Sequence, residues 1–384
     1  MGRGRLEAAI SAAAIIAAIF TAAAAAYPYE ETEPVGEVAI FYYPWYGTPA
    51  QDGGWQHWTQ REQEPPAGIA SAFYPSRGAY SSSDAAVVGA QMREIAETGI
   101  RTVIVSWWGP ESPEATRLPL VMRLARAAGL GVAVHIEPYG GRTPETVARD
   151  AQSLRALGIT DVYVYGSSAF PDEEWAIANA RARGTRLFAN TSLPGKAKAA
   201  GFAGLYTYDV YVYDGSSFPR MCDSARRLGL LCAPSVGPGY DARRATGDQR
   251  VKARRRGATY DRMWGGVVRA RADIVTITSY NEWHEGTQIE PARPAVGPYQ
   301  GYAGAWGRIG RAAQHVYLDR TAAWVREYGA RMSQTCCPDV TILRQTPPGK
   351  TEPASAPPVK PSTPTVPAGV VTAADAVVAF EASS

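Results

Sequence analysis

The chain has 384 residues, 46% hydrophobic and 10% aromatic, and a net charge of only +3. That is enough apolar material for a sizeable core and excludes a disordered chain. The cations are scattered except at Arg243-Arg244 and Arg254-Arg255-Arg256, which read as a solvated helix face; glycine-rich phosphate or dinucleotide loops and basic-aromatic nucleic-acid signatures are missing.

The first 26 residues read as a targeting segment. A basic start, Met1-Gly-Arg-Gly-Arg5, precedes an Ala/Ile run over 8–26 that ends in Ala24-Ala-Ala26, a small-residue cleavage pattern. Export and removal are expected, placing the protein outside the cell or in the cell envelope. The run is also just long enough to span a bilayer, so contact with a membrane is expected only if it is retained.

From residue 37 to about 335 one pattern recurs. Apolar or aromatic runs predict strands at Val38–Trp45, Thr102–Trp108, Val132–Pro138, Asp161–Gly166, Arg186–Thr191, Gly204–Val210, Leu230–Val236 and Asp273–Ser279. Between them, Ala/Arg/Leu-rich segments predict helices over 84–98, 114–128, 144–157, 172–183, 217–228, 249–271 and 302–328, with a short fifth connection near 194–201. Eight strands alternating with helices define an α/β fold, a single (β/α)₈ TIM barrel. From 338 to 384 the composition shifts, and the Pro, Thr, Ser and Lys of 347–367 read as a flexible tail.

Four cysteines, Cys222, Cys232, Cys336 and Cys337, follow the targeting segment and allow three pairings. Cys222 and Cys232, on a predicted helix and the next strand, read as small buried apolar residues. None has zinc-ligand spacing. His284 and His135 beside glutamates lack a third spaced ligand and read as hydrogen-bonded supports.

The chemistry gathers where strands end. The run Asp273-Ile-Val-Thr-Ile-Thr278 stops abruptly in Ser-Tyr-Asn-Glu282-Trp-His-Glu285-Gly-Thr-Gln-Ile-Glu290, placing two carboxylates at the C-terminal end of a barrel strand. Aromatic clusters end the first, second, third and sixth strands. Sugar rings pack their C–H faces on aromatic planes while their hydroxyls need acidic and amide partners, so the mouth suits a carbohydrate. Glu290, beyond the pair, reads as structural.

These residues resemble glycoside hydrolase family 99, the endo-α-1,2-mannosidases and mannanases. The likeness is carried by Phe41-Tyr-Tyr-Pro-Trp-Tyr-Gly47, Tyr80-Ser-Ser-Ser-Asp84, Val105-Ser-Trp-Trp108, His135-Ile-Glu-Pro-Tyr139, Ser235-Val-Gly-Pro-Gly-Tyr240 and the block from Ser279 to Pro291. It implies a barrel using no metal or other cofactor that retains configuration while cutting internal α-1,2-mannosidic bonds of α-mannan or mannose-containing oligosaccharides. Glu282 would deprotonate the sugar 2-hydroxyl and Glu285 would protonate the leaving oxygen, through a 1,2-anhydro sugar. The same likeness implies sugar contacts by Tyr46, His57, Glu137, Tyr206 or Tyr208, Tyr240, Asn281 and Trp283. Trp108 stands where a mannose rather than a glucose is implied in the outer subsite.

Two departures matter. After Tyr240 the family's Ile-Arg-Pro-Trp-Asn-like run is replaced by Asp241-Ala-Arg-Arg-Ala-Thr-Gly-Asp248, leaving Arg243 or Arg244 as the subsite arginine, and Tyr163-Val-Tyr165-Gly166 lacks a histidine that some members carry. A retaining glycosidase with a direct carboxylate nucleophile on another α-glycan, and a catalytically silent sugar-binding barrel, stand as alternatives.

Overall fold

The computed structural model describes residues 36–336. The targeting segment and the Pro-rich tail lie outside these residues. Among the described residues no helix is long and apolar enough to cross a membrane.

The strands are β1 (Glu37–Tyr42), β2 (Thr102–Trp107), β3 (Gly131–Ile136), β4 (Asp161–Val164), β5 (Arg186–Asn190), β6 (Gly204–Tyr206), β7 (Leu231–Ala233), β8 (Ser235–Val236), β9 (Tyr240–Asp241), β10 (Val251–Lys252) and β11 (Ile274–Ile277). Nine of them form one sheet in the order β7-β6-β5-β4-β3-β2-β1-β11-β8, every pair parallel. β7 and β8 are two halves of a single stave interrupted at Pro234, whose missing N–H breaks the ladder. The first half pairs with β6 and the second with β11, so the ring closes with eight staves, as expected for a (β/α)₈ barrel.

The helices are α1 (Pro49–Asp52), α2 (Ala85–Glu97), α3 (Pro113–Ala127), α4 (Pro144–Ala156), α5 (Asp172–Arg181), α6 (Pro194–Ala199), α7 (Phe218–Arg227), α8 (Ala258–Ala270) and α9 (Val316–Cys336). Local chemistry explains the starts: Asp84 accepts the N–H groups of Ala86 and Val87, while Ser112 and Thr143 cap α3 and α4 with proline in the first turn. Two expected helices begin late. The segment expected as helix from 249 first pairs Val251–Lys252 with Tyr240–Asp241, and helix starts only after Gly257 at φ 96°. Likewise Gly304, Gly307 and Gly310 adopt positive φ, delaying the last helix to Val316.

Aromatic side chains fill the barrel. Tyr163 stacks on Phe188 with centroids 4.7 Å apart, Tyr206 meets Tyr163 edge-on at 5.1 Å, and Phe41 packs on His135 at 4.8 Å. Cys222 of α7 and Cys232 of β7 are joined by a disulfide. They are buried as expected, but the bridge corrects their reading as merely small apolar residues, because helix and strand bring them together across a short loop.

Candidate active site

The loop after β11 carries the two carboxylates and is stitched at both ends. Ser279 accepts the Glu282 N–H on Oγ at 2.8 Å, and its own N–H reaches Thr287 O at 3.0 Å. At Gly286, φ 64°, an added Cβ would come within 3.0 Å of Asp241 O, so the turn just after Glu285 calls for glycine. Behind the loop, Glu290 is fully buried and accepts from Arg77 Nε at 2.8 Å, Tyr80 OH at 2.8 Å, Gln91 Nε2 at 2.9 Å and Trp283 Nε1 at 2.8 Å. A buried carboxylate with four donors is a rigid anchor.

Glu282 is only 2% exposed. Its Oε1 accepts the backbone N–H groups of His284 at 2.9 Å and Glu285 at 3.4 Å. Burial and the neighbouring Glu285 raise its pKa, while those two N–H donors favour its anion. Glu285, half-buried, is pushed up to about 8 by burial and by the charges of Asp209 and Glu137; Tyr208 OH, 3.4 Å from its Oε2, and Arg250 pull the other way. Two such close carboxyls lose their protons stepwise. Glu282 holds the two backbone N–H donors, and Glu285 has the Tyr208 phenol.

The wall opposite is aromatic. His57 stacks on Trp45 at 4.6 Å with planes 8° apart, and His284 lies over Trp45 at 5.6 Å. The His284 Nε2–H donates to His57 O. Burial lowers the pKa of His284 to about 4, and burial with the charge of His284 lowers that of His57 to about 3, so both rings are neutral near pH 7. The loop that delivers His57 is held by Arg117 of α3, which bonds Pro44 O at 3.0 Å and Asp52 Oδ1 at 2.9 Å. From the third stave, Glu137 accepts Ser106 Oγ at 2.9 Å and stands 2.9 Å from His135 Nδ1, while His135 Nε2 bonds Tyr206 OH at 2.7 Å.

The sequence-chosen residues divide accordingly. Glu282, Glu285, Glu137, His57, Trp108 and Tyr208 meet at the mouth, where Trp108 lies 6.5 Å from Trp45 with its indole N–H buried and unpartnered. Of the sixth-stave tyrosines, Tyr208 reaches Glu285 and also bonds Tyr43, whereas Tyr206 lies deeper on His135. Tyr46, Asn281 and Trp283 sit beneath the carboxylates, fully buried, with their polar atoms bonded to the protein. The structure does not bring Arg243 or Arg244 to the pair. Arg243 bonds Asp241 through Nε and Nη2, both at 2.8 Å, and Arg244 Nη2 bonds Gln63 Oε1 at 2.6 Å.

Reasoning from the sequence assigned no site role to several neighbours. Arg250, six residues beyond Arg244, is the arginine whose charge acts on Glu285, and it faces the rings of Tyr211 at 5.4 Å and Tyr240 at 6.0 Å. Asp209, Tyr43, Trp45 and Tyr165 also surround the pair. Alternation would have singled out Tyr165, two residues beyond the inward Tyr163. Among the described residues no group of three His, Cys, Asp or Glu is placed to hold a metal ion.

A closed (β/α)₈ barrel with two neighbouring carboxyls at the C-terminal mouth has the architecture of a glycoside hydrolase. The model of glycosyl hydrolase family 99 matches residues 36–330, and the chain belongs to that family. It is 32% identical over 321 residues to a glycoprotein endo-alpha-1,2-mannosidase-like protein of Danio rerio, covering 67% of this chain and 71% of the relative. With the Rattus norvegicus glycoprotein endo-alpha-1,2-mannosidase it shares 29% identity, over 76% of this chain and 72% of that one. A solved GH99 endo-alpha-mannosidase from Bacteroides thetaiotaomicron superposes with a TM-score of 0.69 at 28% identity, covering 77% of this chain and 98% of the other.

Proposed function

We propose that this enzyme is an endo-acting α-mannosidase that cuts internal α-1,2-mannosidic bonds with retention, through a 1,2-anhydro sugar. The observation that carries the reading is the unequal pair: Glu282 accepts two backbone N–H groups while Glu285 has a phenol and neighbouring acids. Glu282 removes the proton of the axial 2-hydroxyl. O2 then attacks C1 from the face opposite the leaving group, and Glu285 gives its proton to the departing oxygen. In the second half Glu285 takes a proton from water as the water oxygen bonds C1. The C1–O2 bond breaks and Glu282 returns the proton to O2. Two inversions leave the α-anomer.

Trp108 and Trp45 form the platform proposed for the outer sugar, with an apolar face that suits a mannose there. Tyr208, Glu137 and His57 are the remaining proposed sugar contacts. Export is proposed from the N-terminal sequence, and the Cys222–Cys232 disulfide supports an oxidising destination.

Digestion of defined α-mannans, with product mapping and NMR of the first-formed anomer, tests the reading. The expected products are internal cleavage fragments bearing the α-anomer, with 2-O-methyl substrates left intact. Turnover of a 2-O-methyl substrate, or a glycosyl ester trapped on Glu282, would replace the anhydro route by a direct carboxylate nucleophile.

A further inference from the structure

Beside the carboxylate pair lies a separate cavity of about 340 Å³, lined by neither Glu282 nor Glu285. Its wall carries five cations, Arg243, Lys252, Arg254, Arg255 and Arg256, against one acid, Asp241. That acid is already engaged, by Arg243 on both oxygens and by Gln300 Nε2 at 2.8 Å. Lys252 is turned toward backbone, donating to Val210 O at 2.7 Å and to Tyr213 O. Arg254, Arg255 and Arg256 have no carboxylate partner among the described residues.

Arg254 is the most confined of the three. Its guanidinium packs over the rings of Phe73, Tyr302 and Tyr317 at 4.5, 4.8 and 4.7 Å, and Nη2 donates to Gly286 O at 3.0 Å and Gln288 O at 2.6 Å. Nε and Nη1 are buried with no hydrogen-bond partner. Ring faces attract the charge but do not replace an acceptor in the guanidinium plane. A charged donor withdrawn from water and left unpaired is unfavourable until an acceptor arrives.

We propose that this cavity is an anion site for a phosphate group, either free inorganic phosphate or a phosphate monoester carried on an acidic glycan. Planar guanidinium forks match phosphate oxygens two at a time, which makes arginine the fitting residue here. The volume lies at the low end of small-ligand pockets, with room for more than a bare ion. The site also touches the carboxylate loop: Arg254 holds the carbonyls of Gly286 and Gln288, and the Asp241 N–H donates to Glu285 O at 2.7 Å. The glycan-borne form rests on the α-mannoside reading above, whereas binding of free phosphate does not.

The test uses the full chain and the double variant Arg255→Asn/Arg256→Asn. Both side chains are exposed and sit at φ 48° and 53°, a region asparagine tolerates, so the fold is expected to survive. Calorimetric titration with inorganic phosphate at low chloride is expected to show saturable binding that weakens at least about tenfold in the variant. Hydrolysis of a neutral α-mannoside should be equal in both proteins. A phosphomonoester-bearing α-mannoside cut in preference to its neutral counterpart by the wild type alone identifies the glycan as the source; phosphate binding without that preference identifies the free ion. No saturable phosphate binding, or binding unchanged in the variant, overturns the site. Phosphate binding in a protein that leaves α-mannosides intact sinks the substrate reading and leaves the anion site standing.

Discussion

The hydroxyl of Tyr46 accepts the backbone N–H of Trp283 at 3.1 Å and donates to the carbonyl of Asn281 at 3.0 Å. One phenol thus clamps the peptide units on both sides of Glu282, and its ring is fixed by stacking on Trp58 at 4.1 Å. Tyr46→Phe keeps the stack and leaves the Trp283 N–H and the Asn281 carbonyl only the bond they make to each other at 3.0 Å. The expected result is a loss of about 0.5–1.5 kcal/mol in stability. With kcat lowered more than KM is raised, steady-state kinetics beside denaturant titration separates this role from direct sugar binding.

Glu285 also couples activity to pH. Its carboxyl holds a proton up to about 8 when folded, against an ordinary value of 4.5. Activity that needs the acid form should therefore fall as pH rises through this value, giving the alkaline limb of kcat/KM. Tyr208→Phe removes a hydrogen bond that favours the anion, so that limb should move to higher pH.

The same shift has a stability consequence. Between pH 4.5 and about 8 the unfolded chain releases the Glu285 proton while the folded chain retains it. Folding is thus progressively disfavoured as pH rises across that window. Glu285→Gln does not titrate, so thermal melts should show the variant gaining on the wild type from pH 4 to pH 8. A parallel pair of Tm curves would contradict the raised carboxyl.

Roles within the pair separate by leaving group. Glu285→Gln should recover part of its rate on an activated aryl α-mannoside that needs no proton, whereas Glu282→Gln should not, because O2 still lacks a base. The reverse order in single-turnover rates would exchange the two assignments.

Ion pairs differ sharply in value with their burial. Arg77→Met strands the fully buried Glu290 and should cost about 3–5 kcal/mol. Asp223→Asn, which breaks only the exposed pair with Arg226, should change stability by less than about 1 kcal/mol. Urea unfolding of both variants makes the comparison.

The disulfide closes a short loop, with a sequence separation of 10. Replacing both Cys222 and Cys232 by alanine should cost about 2–3 kcal/mol by the loop-entropy relation. Little change in kcat is expected, since neither cysteine approaches the carboxylates. Equal melting temperatures with and without reductant would show the bridge to be unformed in solution.

The sequence by itself determined the eight staves and the place of the two glutamates. Buried parallel strands must be continuous apolar runs, and such runs stop where side chains turn to chemistry; β1, β2, β3 and β5 each began within a residue of expectation. Strand ends were overrun because the mouth loops stay extended and aromatic past the last ladder bond, as at Pro44-Trp45 and Tyr208. Only the tertiary structure decided which tyrosine meets Glu285, that Asn281, Trp283 and Tyr46 support the loop from beneath, and that Arg250 rather than Arg243 or Arg244 faces the pair. It alone joined Cys222 to Cys232 and gathered Arg254, Arg255 and Arg256 around a cavity. The reason is one of range: periodicity reports the neighbours a residue has along its own element, whereas these contacts span loops whose course depends on what packs beneath them.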